Sequence, residues 1–449
     1  MQDNGSARAA SLYFQTDFDA GEFARRRNQL MDAVGGRGVA LLAGAPEVPG
    51  FDPFRQSNDF YYLCGVEVPH AYLLIDAGRR TSTLYLPTPN RKHEASDGPT
   101  LGPEDAAFVR ERAGVEDVRP VAALPQDLAG AACVHLPRAP AEGVRMCQDT
   151  LRHARRSAAA DPMGAPPSPE VHLLARVAEL CPGAELRDLS PILQRMRLVK
   201  SDAEVAVMRR AGRLAAEAVV AAMRVTRPGV FEYELAAAAD HVYLLAGSRG
   251  GAYRPIIAGG ANIPMMHYWR NNCRLRAGDL VLMDYAPDVG NYTSDIGRMW
   301  PVDGRYTPAH RELYGFVIEY HRLLLSVIRG GRVPEDVLAE AAERMRPRAD
   351  AWPFSKPLYR ESVHRMLASP RPLSHGVGMA VHEAAGYFGR PMEPGLVIAV
   401  DPELFVPEER LYIRCEDTVV VTAGGCENLT ADAPLEMDAV ERLMAGTVA

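Results

Sequence analysis

The sequence lacks most of what would tie it to a membrane, a nucleic acid or an oxidising compartment. No run of 18 apolar residues occurs, the length at which a spanning helix becomes a candidate, so no transmembrane helix is expected. The opening stretch MQDNGSARAASLYFQTDFDAGEF has no apolar core of signal-peptide length, so no secretory leader is expected. Lysine is almost missing: Lys92, Lys200 and Lys356 stand among positive charge that is otherwise arginine. No long basic run appears and the formal charge is −7, so neither nucleic acid nor an acidic membrane surface is an expected partner. The 7 cysteines are odd in number and form no CxxC. Neither a disulfide framework nor a structural zinc site is expected, and a reducing, cytoplasmic setting fits.

What is present is ordinary for a globular protein: 449 residues, 47% hydrophobic and 24% charged, enough for two or three domains with full cores. Residues 20–34 have helical apolar spacing. Strand-like runs follow at Val39–Ala43, Phe60–Cys64, Ala71–Ile75, Thr83–Leu86 and Cys133–Leu136, with a helix expected over Pro103–Ala113. This alternation predicts an α/β domain over 1–197. His70, His93, His135 and His153 in it have no ligand spacing. The Pro-rich segment 158–169 reads as a loop inside that domain. Ser201-Asp-Ala-Glu204 is a capping box that opens a long Ala-rich helix and a second domain, 198–449. A helix over about Glu232–Leu245, strands from Tyr253, helices over Arg311–Ile328 and Pro334–Met345, and strands at Leu396–Val400 and Leu411–Thr422 complete it.

The most informative stretch is GDLVLMDYAPDVGNYTSDIGRMWPV, which predicts a β-hairpin with Asp284 and Asp295 in apolar surroundings. A turn centred on Val289-Gly290 would set these two carboxylates directly opposite each other. A register shifted by two would leave them diagonal neighbours on the same face. Opposed like charges on a half-buried sheet need a positive partner, for which a divalent metal pair is the usual answer. Two exposed aspartates on a solvated hairpin are the plainer alternative. Further along, His375 sits in the Gly-rich Ser-His-Gly-Val-Gly, His382 follows, Asp401 ends an apolar run at Pro402, and Glu416 lies in a strand beside Arg414. Glu416 and Arg414 alone could form a structural ion pair. Taken together, Asp284, Asp295, His375, Asp401 and Glu416 make four carboxylates and one imidazole, a donor set for two divalent ions such as Mn²⁺, Co²⁺, Fe²⁺ or Zn²⁺.

Here the chain resembles the aminopeptidase P/prolidase family of metallopeptidases over nearly its whole length. RQSNDFYYLCGVEVPHAYLLID resembles the family's N-terminal domain. MHYWRNNCRLRAGDLVLMDYAPDVGNYTSDIGRMWPVDGRYT, SHGVGMAVHE, MEPGLVIAVDPELF and RCEDTVVVTAGGCENLT resemble its metal-site motifs, in the family's order. The resemblance implies an α/β N-terminal domain and an α+β "pita-bread" catalytic domain with a pseudo-twofold, curved antiparallel sheet. It implies Asp284, Asp295, His375, Asp401 and Glu416 as ligands of two metal ions, most often Mn²⁺, with Asp401 also the base. It assigns His267 to substrate contact and proton transfer, His382 to the scissile carbonyl oxygen, and Arg414 to orienting a ligand. The implied activity is removal of the first residue from a peptide with proline second, through a metal-bridging hydroxide. A homodimer or homotetramer is the implied assembly. An Xaa-Pro dipeptidase, another amide or ester hydrolase, or a catalytically altered binding protein are the alternatives.

Three features depart from the family's pattern. Val-Asp401-Pro-Glu403 stands where the family has Val-Glu-Pro-Gly, which shortens the ligand by one methylene and brings in Glu403 as a second candidate. Arg371 stands where the family usually has His, which would favour a substrate carboxylate or narrow the pocket. The segment from His382 to Asp401 is short.

Overall fold

A computed structural model describes residues 11–36, 38–164 and 166–446. The chain divides into two compact units, 1–196 and 197–449.

The first unit is built on a mixed six-stranded sheet. Helix α1 (Ala20–Val34) starts at Asp19, whose side chain accepts from Glu22 N, and ends at Gly35 with φ 73°. The strands are β1 (Val39–Ala43), β2 (Tyr72–Asp76), β3 (Thr81–Leu86), β4 (Asp117–Pro120), β5 (Cys133–Leu136) and β6 (Glu185–Asp188), in the order β4-β3-β2-β1-β5-β6. The β1-β2-β3 meander is antiparallel, while β4, β5 and β6 pair parallel to their neighbours. Leu41, Leu74, Tyr85, Val134 and Leu136 fill one core against Leu124, Leu128 and Val177.

The run Phe60–Cys64, expected as a strand, is instead the end of helix α2 (Asn58–Cys64). Phe60, Tyr61, Tyr62, Leu63 and Cys64 are all buried, so the helix has no polar face and its sequence carries no 3.6-residue period. The signal was the residue after it. Gly65 has φ 68°, and its N–H returns to Tyr61 O at 2.8 Å, a left-handed helix cap.

The second unit uses one order of elements twice: a helix pair, then antiparallel strands. Helix α3 (Asp202–Val225) opens with the expected capping box, Ser201 N to Glu204 Oε2 at 2.9 Å and Glu204 N to Ser201 Oγ at 3.3 Å. Helix α4 (Glu232–Leu245) packs on it. Strands β7 (Ile256–Gly259), β8 (Leu280–Asp284) and β9 (Gly297–Pro301) follow as one antiparallel sheet. Helix α5 (Pro308–Val327) leads into the second round: α6 (Pro334–Ala351), α7 (Pro357–Leu367), then β10 (Leu373–Gly376) and β11 (Val397–Val400). Strands β12 (Glu403–Val406) and β13 (Leu411–Arg414) form a two-stranded ribbon. Strands β14 (Asp417–Val421) and β15 (Cys426–Asn428) extend β10-β11 into a four-stranded sheet.

Every residue of β8, β9, β11 and β14 is buried, so these strands show no alternation of apolar and polar residues. Trp300 is fully buried and donates from Nε1 to Thr226 Oγ1 at 2.9 Å. That bond lets a large indole be buried without an orphaned N–H.

The hairpin register decides where the two aspartates go. Asp284 pairs with Gly297, two residues beyond Asp295, so the carboxylates are diagonal rather than opposed. The turn is centred on Gly290-Asn291, not Val289-Gly290: both residues have positive φ (57° and 66°) and Val289 pairs with Tyr292. Two consecutive left-handed residues make the tight turn whose twist matches that of the strands. The single strand expected over Leu411–Thr422 also breaks, at Cys415-Glu416, where the chain passes from one sheet to the other. Glu416 bridges to Gly297 at that break, with N–H···O bonds of 3.1 and 2.9 Å.

Candidate metal centre

Strand ends place the acidic groups. Asp284 is the last residue of β8, Asp295 lies just before β9, Asp401 follows β11, and Glu416 fills the gap between β13 and β14. His375 comes from β10. All five line one cavity of about 540 Å³, together with His267, His382, Arg371, Glu403 and Arg414.

Among the cavity residues, two triplets have donor atoms all within 4.8 Å of one another: Asp284, Asp295 and Glu416, and Asp295, His375 and His382. Asp295 is common to both. His375 Nε2 stands 3.5 Å from Asp295 Oδ2. The His375 and His382 rings are 4.0 Å apart between centroids, and those of His267 and His382 are 6.4 Å apart. Asp401 joins neither triplet. A side chain one methylene short of glutamate ends about 1.5 Å earlier. Its Oδ1 has no hydrogen-bond partner, and the Nε of Arg414 is 3.5 Å away.

Arg414 is the cation the acids share. Its Nη2 donates to Asp284 Oδ2 at 2.8 Å and also to Glu416 Oε2. Room for this comes from Gly297, where a Cβ would sit 3.0 Å from the Glu416 Cβ and 3.1 Å from Arg414 Nε. From behind, Arg298 donates to Glu416 O at 2.6 Å and to Asp417 Oδ1 at 2.6 Å, and His321 Nε2 lies 3.2 Å from Asp417 Oδ2. That buried network pins the backbone on both sides of Glu416.

The electrostatics ask for more positive charge than the protein supplies. Burial, then the neighbouring Asp284 charge, pushes the Asp295 carboxyl well above its ordinary range. Burial pushes Glu416 the same way, against the pull of Arg414. Asp401 is pushed up to about 7, by burial first and despite Arg414. One guanidinium cannot satisfy four buried carboxyl groups. Divalent cations among these oxygens and one imidazole fit the surplus of acid and the bare Oδ1 of Asp401.

One polar group at the centre went unnoticed in the sequence. The hydroxyl of Tyr253 lies 2.8 Å from Asp284 Oδ1 and 2.8 Å from Asp295 Oδ1. Tyr253 stands three residues before β7, between Ala252 and Arg254, and no ligand-type spacing marked it. Thr418 is the second omission: its Oγ1 accepts from Asp295 N at 2.6 Å. The third is Tyr412, which donates to Glu403.

Comparison with known proteins agrees with this geometry. Residues 206–423 match the model of metallopeptidase family M24, and residues 23–134 match that of the aminopeptidase P N-terminal domain. The chain is 33% identical to the Xaa-Pro aminopeptidase of Escherichia coli strain K12 over 446 residues, covering 94% of this chain and 97% of that protein. It is 29% identical to Xaa-Pro aminopeptidase 3 of Mus musculus, covering 95% and 86%. Among solved structures, zinc-substituted E. coli aminopeptidase P in complex with product superimposes with a TM-score of 0.77 at 30% identity, covering 97% of this chain and all of that one. The E. coli enzyme with the inhibitor Pro-Leu gives 0.77 at 29% identity, covering 96% and 99%. With its α/β N-terminal unit and its pita-bread catalytic unit, the chain belongs to the aminopeptidase P family of M24 metallopeptidases.

Proposed function

We propose that this protein is an Xaa-Pro aminopeptidase, which hydrolyses the bond between the first residue of a peptide and a proline in second place. The observation that carries the reading is the convergence of Asp284, Asp295, Glu416 and His375 on one cavity that His267 and His382 also line. The Xaa-Pro aminopeptidases among its relatives support the substrate class.

In this reading Asp284, Asp295, His375, Asp401 and Glu416 hold two divalent ions, with Mn²⁺ the expected occupant of so oxygen-rich a set. Such ions would supply a water acidic enough to lose its proton near neutral pH and would polarise a carbonyl oxygen. The side chains do the rest. His382 donates a hydrogen bond to the scissile carbonyl oxygen as negative charge builds on it. His267, whose ring centroid is 6.4 Å from that of His382, contacts the peptide and passes a proton to the leaving nitrogen. Asp401 takes the attacking water's proton on Oδ1, the atom without a hydrogen-bond partner. Arg414 holds Asp284 and Glu416 in place.

The reading extends to setting and assembly. All 7 cysteines are free thiols, which suits a reducing cytoplasm. Among the described residues no helix is long and apolar enough to cross a membrane. A homodimer or homotetramer is the proposed assembly, on the family resemblance alone.

The test is release of free alanine from Ala-Pro-Leu by Mn²⁺-loaded protein, with Ala-Ala-Leu and N-acetylated Ala-Pro-Leu as controls. Cleavage of the first peptide only, abolished by chelator and restored by Mn²⁺, is expected. Full metal loading without release of alanine overturns the reading.

A further inference from the structure

One charged side chain in the cavity wall takes no part in this chemistry. Arg371 lies between Pro370 and Pro372, whose rings fix the backbone on either side of it. Its own N–H donates to Ser369 Oγ at 3.2 Å, and the carbonyl of Pro372 accepts from Asp401 N at 2.9 Å. The segment that carries Arg371 is thus tied to the residue after β11.

The guanidinium is held along one edge. Its Nη1 donates to Glu403 Oε2 at 3.2 Å, and its central carbon stands 5.5 Å from the centroid of the Phe405 ring. Glu403 and Phe405 are fixed in turn by Tyr412, which donates to Glu403 and stacks on Phe405 at 4.6 Å between centroids. The side chain of Arg371 is nevertheless 58% exposed. Its Nε and Nη2 hydrogens have no protein acceptor among the described residues. A planar fork with one edge clamped and the other open is built to receive a carboxylate.

We propose that Arg371 is a specificity-determining residue that receives the free α-carboxylate of a short peptide, on the product side of the scissile bond. This rests on the peptidase reading above. A peptide with a free N-terminus and an uncharged first residue has one anionic group it always carries, its C-terminal carboxylate. In this cavity that group would otherwise meet Asp401 and Glu403. Glu403, which clamps Arg371, stands two residues beyond Asp401 in the chain, and the second residue beyond a cleaved bond places its carboxyl carbon ~7 Å from that bond. Substrates of the form Xaa-Pro-Yaa with a free carboxylate are therefore favoured over amidated or much longer peptides.

The test measures binding as well as turnover. Calorimetry on the Mn²⁺-loaded full chain compares Pro-Leu with Pro-leucinamide, and kinetics compare Ala-Pro-Leu with its C-terminal amide. The wild-type protein is expected to bind Pro-Leu at least 10-fold more tightly than the amide, with a matching split in KM. Arg371→Gln is expected to bring the acid-to-amide ratio to about 1, Arg371→Lys to leave part of it, and Glu403→Gln, which frees the clamped edge, to reduce it. Equal affinity for acid and amide in the wild type overturns the proposal. So does an unchanged ratio in Arg371→Gln, or an equal gain for both ligands, the sign of a mere plug. Alanine release from both peptides without an acid preference leaves the peptidase reading standing and removes the subsite. An acid preference in binding without any alanine release does the reverse.

Discussion

The Tyr253 hydroxyl stands 2.8 Å from one oxygen each of Asp284 and Asp295, two carboxylates contributed by the two arms of one hairpin. A hydroxyl has one hydrogen, so it donates fully to one of the two oxygens at a time. Burial beside these acids pushes the phenol well above its ordinary pKa, which keeps it a donor. Tyr253→Phe keeps the ring and removes the hydrogen bond. The fold should survive, and affinity for the first Mn²⁺ should fall 10- to 100-fold, the range seen when the partner of a metal ligand is lost. Calorimetric titration of the chelator-treated protein measures it.

Asp401, the proposed ligand one methylene shorter than glutamate, gives a second test. Asp401→Glu restores the methylene and should retain both metals while changing turnover. Asp401→Ala should lower kcat by at least ~100-fold. Metal content and Ala-Pro-Leu kinetics report the two effects separately. An alanine variant that keeps two metals and full activity would move the role of base to Glu403.

A Cβ at Gly297 would crowd both Glu416 and Arg414, at 3.0 and 3.1 Å, so that one of them must shift. Gly297→Ala should push Glu416 away from Asp284 and Asp295 and weaken metal binding more than it weakens the fold. The readout is the rise in Tm on adding Mn²⁺. A ligand at 100 times its Kd stabilises by about 2.7 kcal/mol, and that increment should shrink in the variant.

Away from the centre, Glu441 sets an acid limit on stability. It lies on the C-terminal helix α8 (Met437–Met444) and accepts from Tyr306 N at 2.9 Å, from Arg305 at 2.9 Å and from Arg311 at 2.7 Å. Burial alone would raise its pKa, but these donors outweigh burial and hold it below the ordinary carboxylate value. A lowered folded-state pKa adds stability that is complete above the unfolded value, ~4.3, and is lost as pH falls through the folded value. Glu441→Gln should therefore unfold at lower denaturant concentration than wild type at pH 7. The gap should close as pH drops from about 5 toward 3. Denaturant midpoints at several pH values check it.

Much of this could be read along the chain because it is local. The Ser201–Glu204 box names its helix, since both hydrogen bonds span three residues. Proline and glycine bracket α4 and β11 in the same way. The errors fell where burial erases periodicity or where a neighbouring strand chooses the register. Phe60–Cys64 is apolar on every side and looks the same as helix or strand. Leu411–Val421 is buried from Tyr412 onward whatever the residue type, and only its two partner sheets divide it at Glu416.

The site was legible as a list and not as an arrangement. Acids and histidines in apolar or Gly-rich settings marked Asp284, Asp295, His375, Asp401 and Glu416, because a charge is costly there without a partner. Tyr253 has an unremarkable sequence context and becomes visible only when folding sets it between two carboxylates.

By itself, the sequence determined the family, the start of the Ser201 helix and which acidic residues are available as donors, all of which depend on residue type and near neighbours. The tertiary structure alone decided that Asp284 and Asp295 are diagonal, that Asp401 stops short of the cluster, and that Arg371 is clamped on one edge by Glu403. Those outcomes are set by strand register and by side chains 11 to 130 residues apart, to which local propensity is blind.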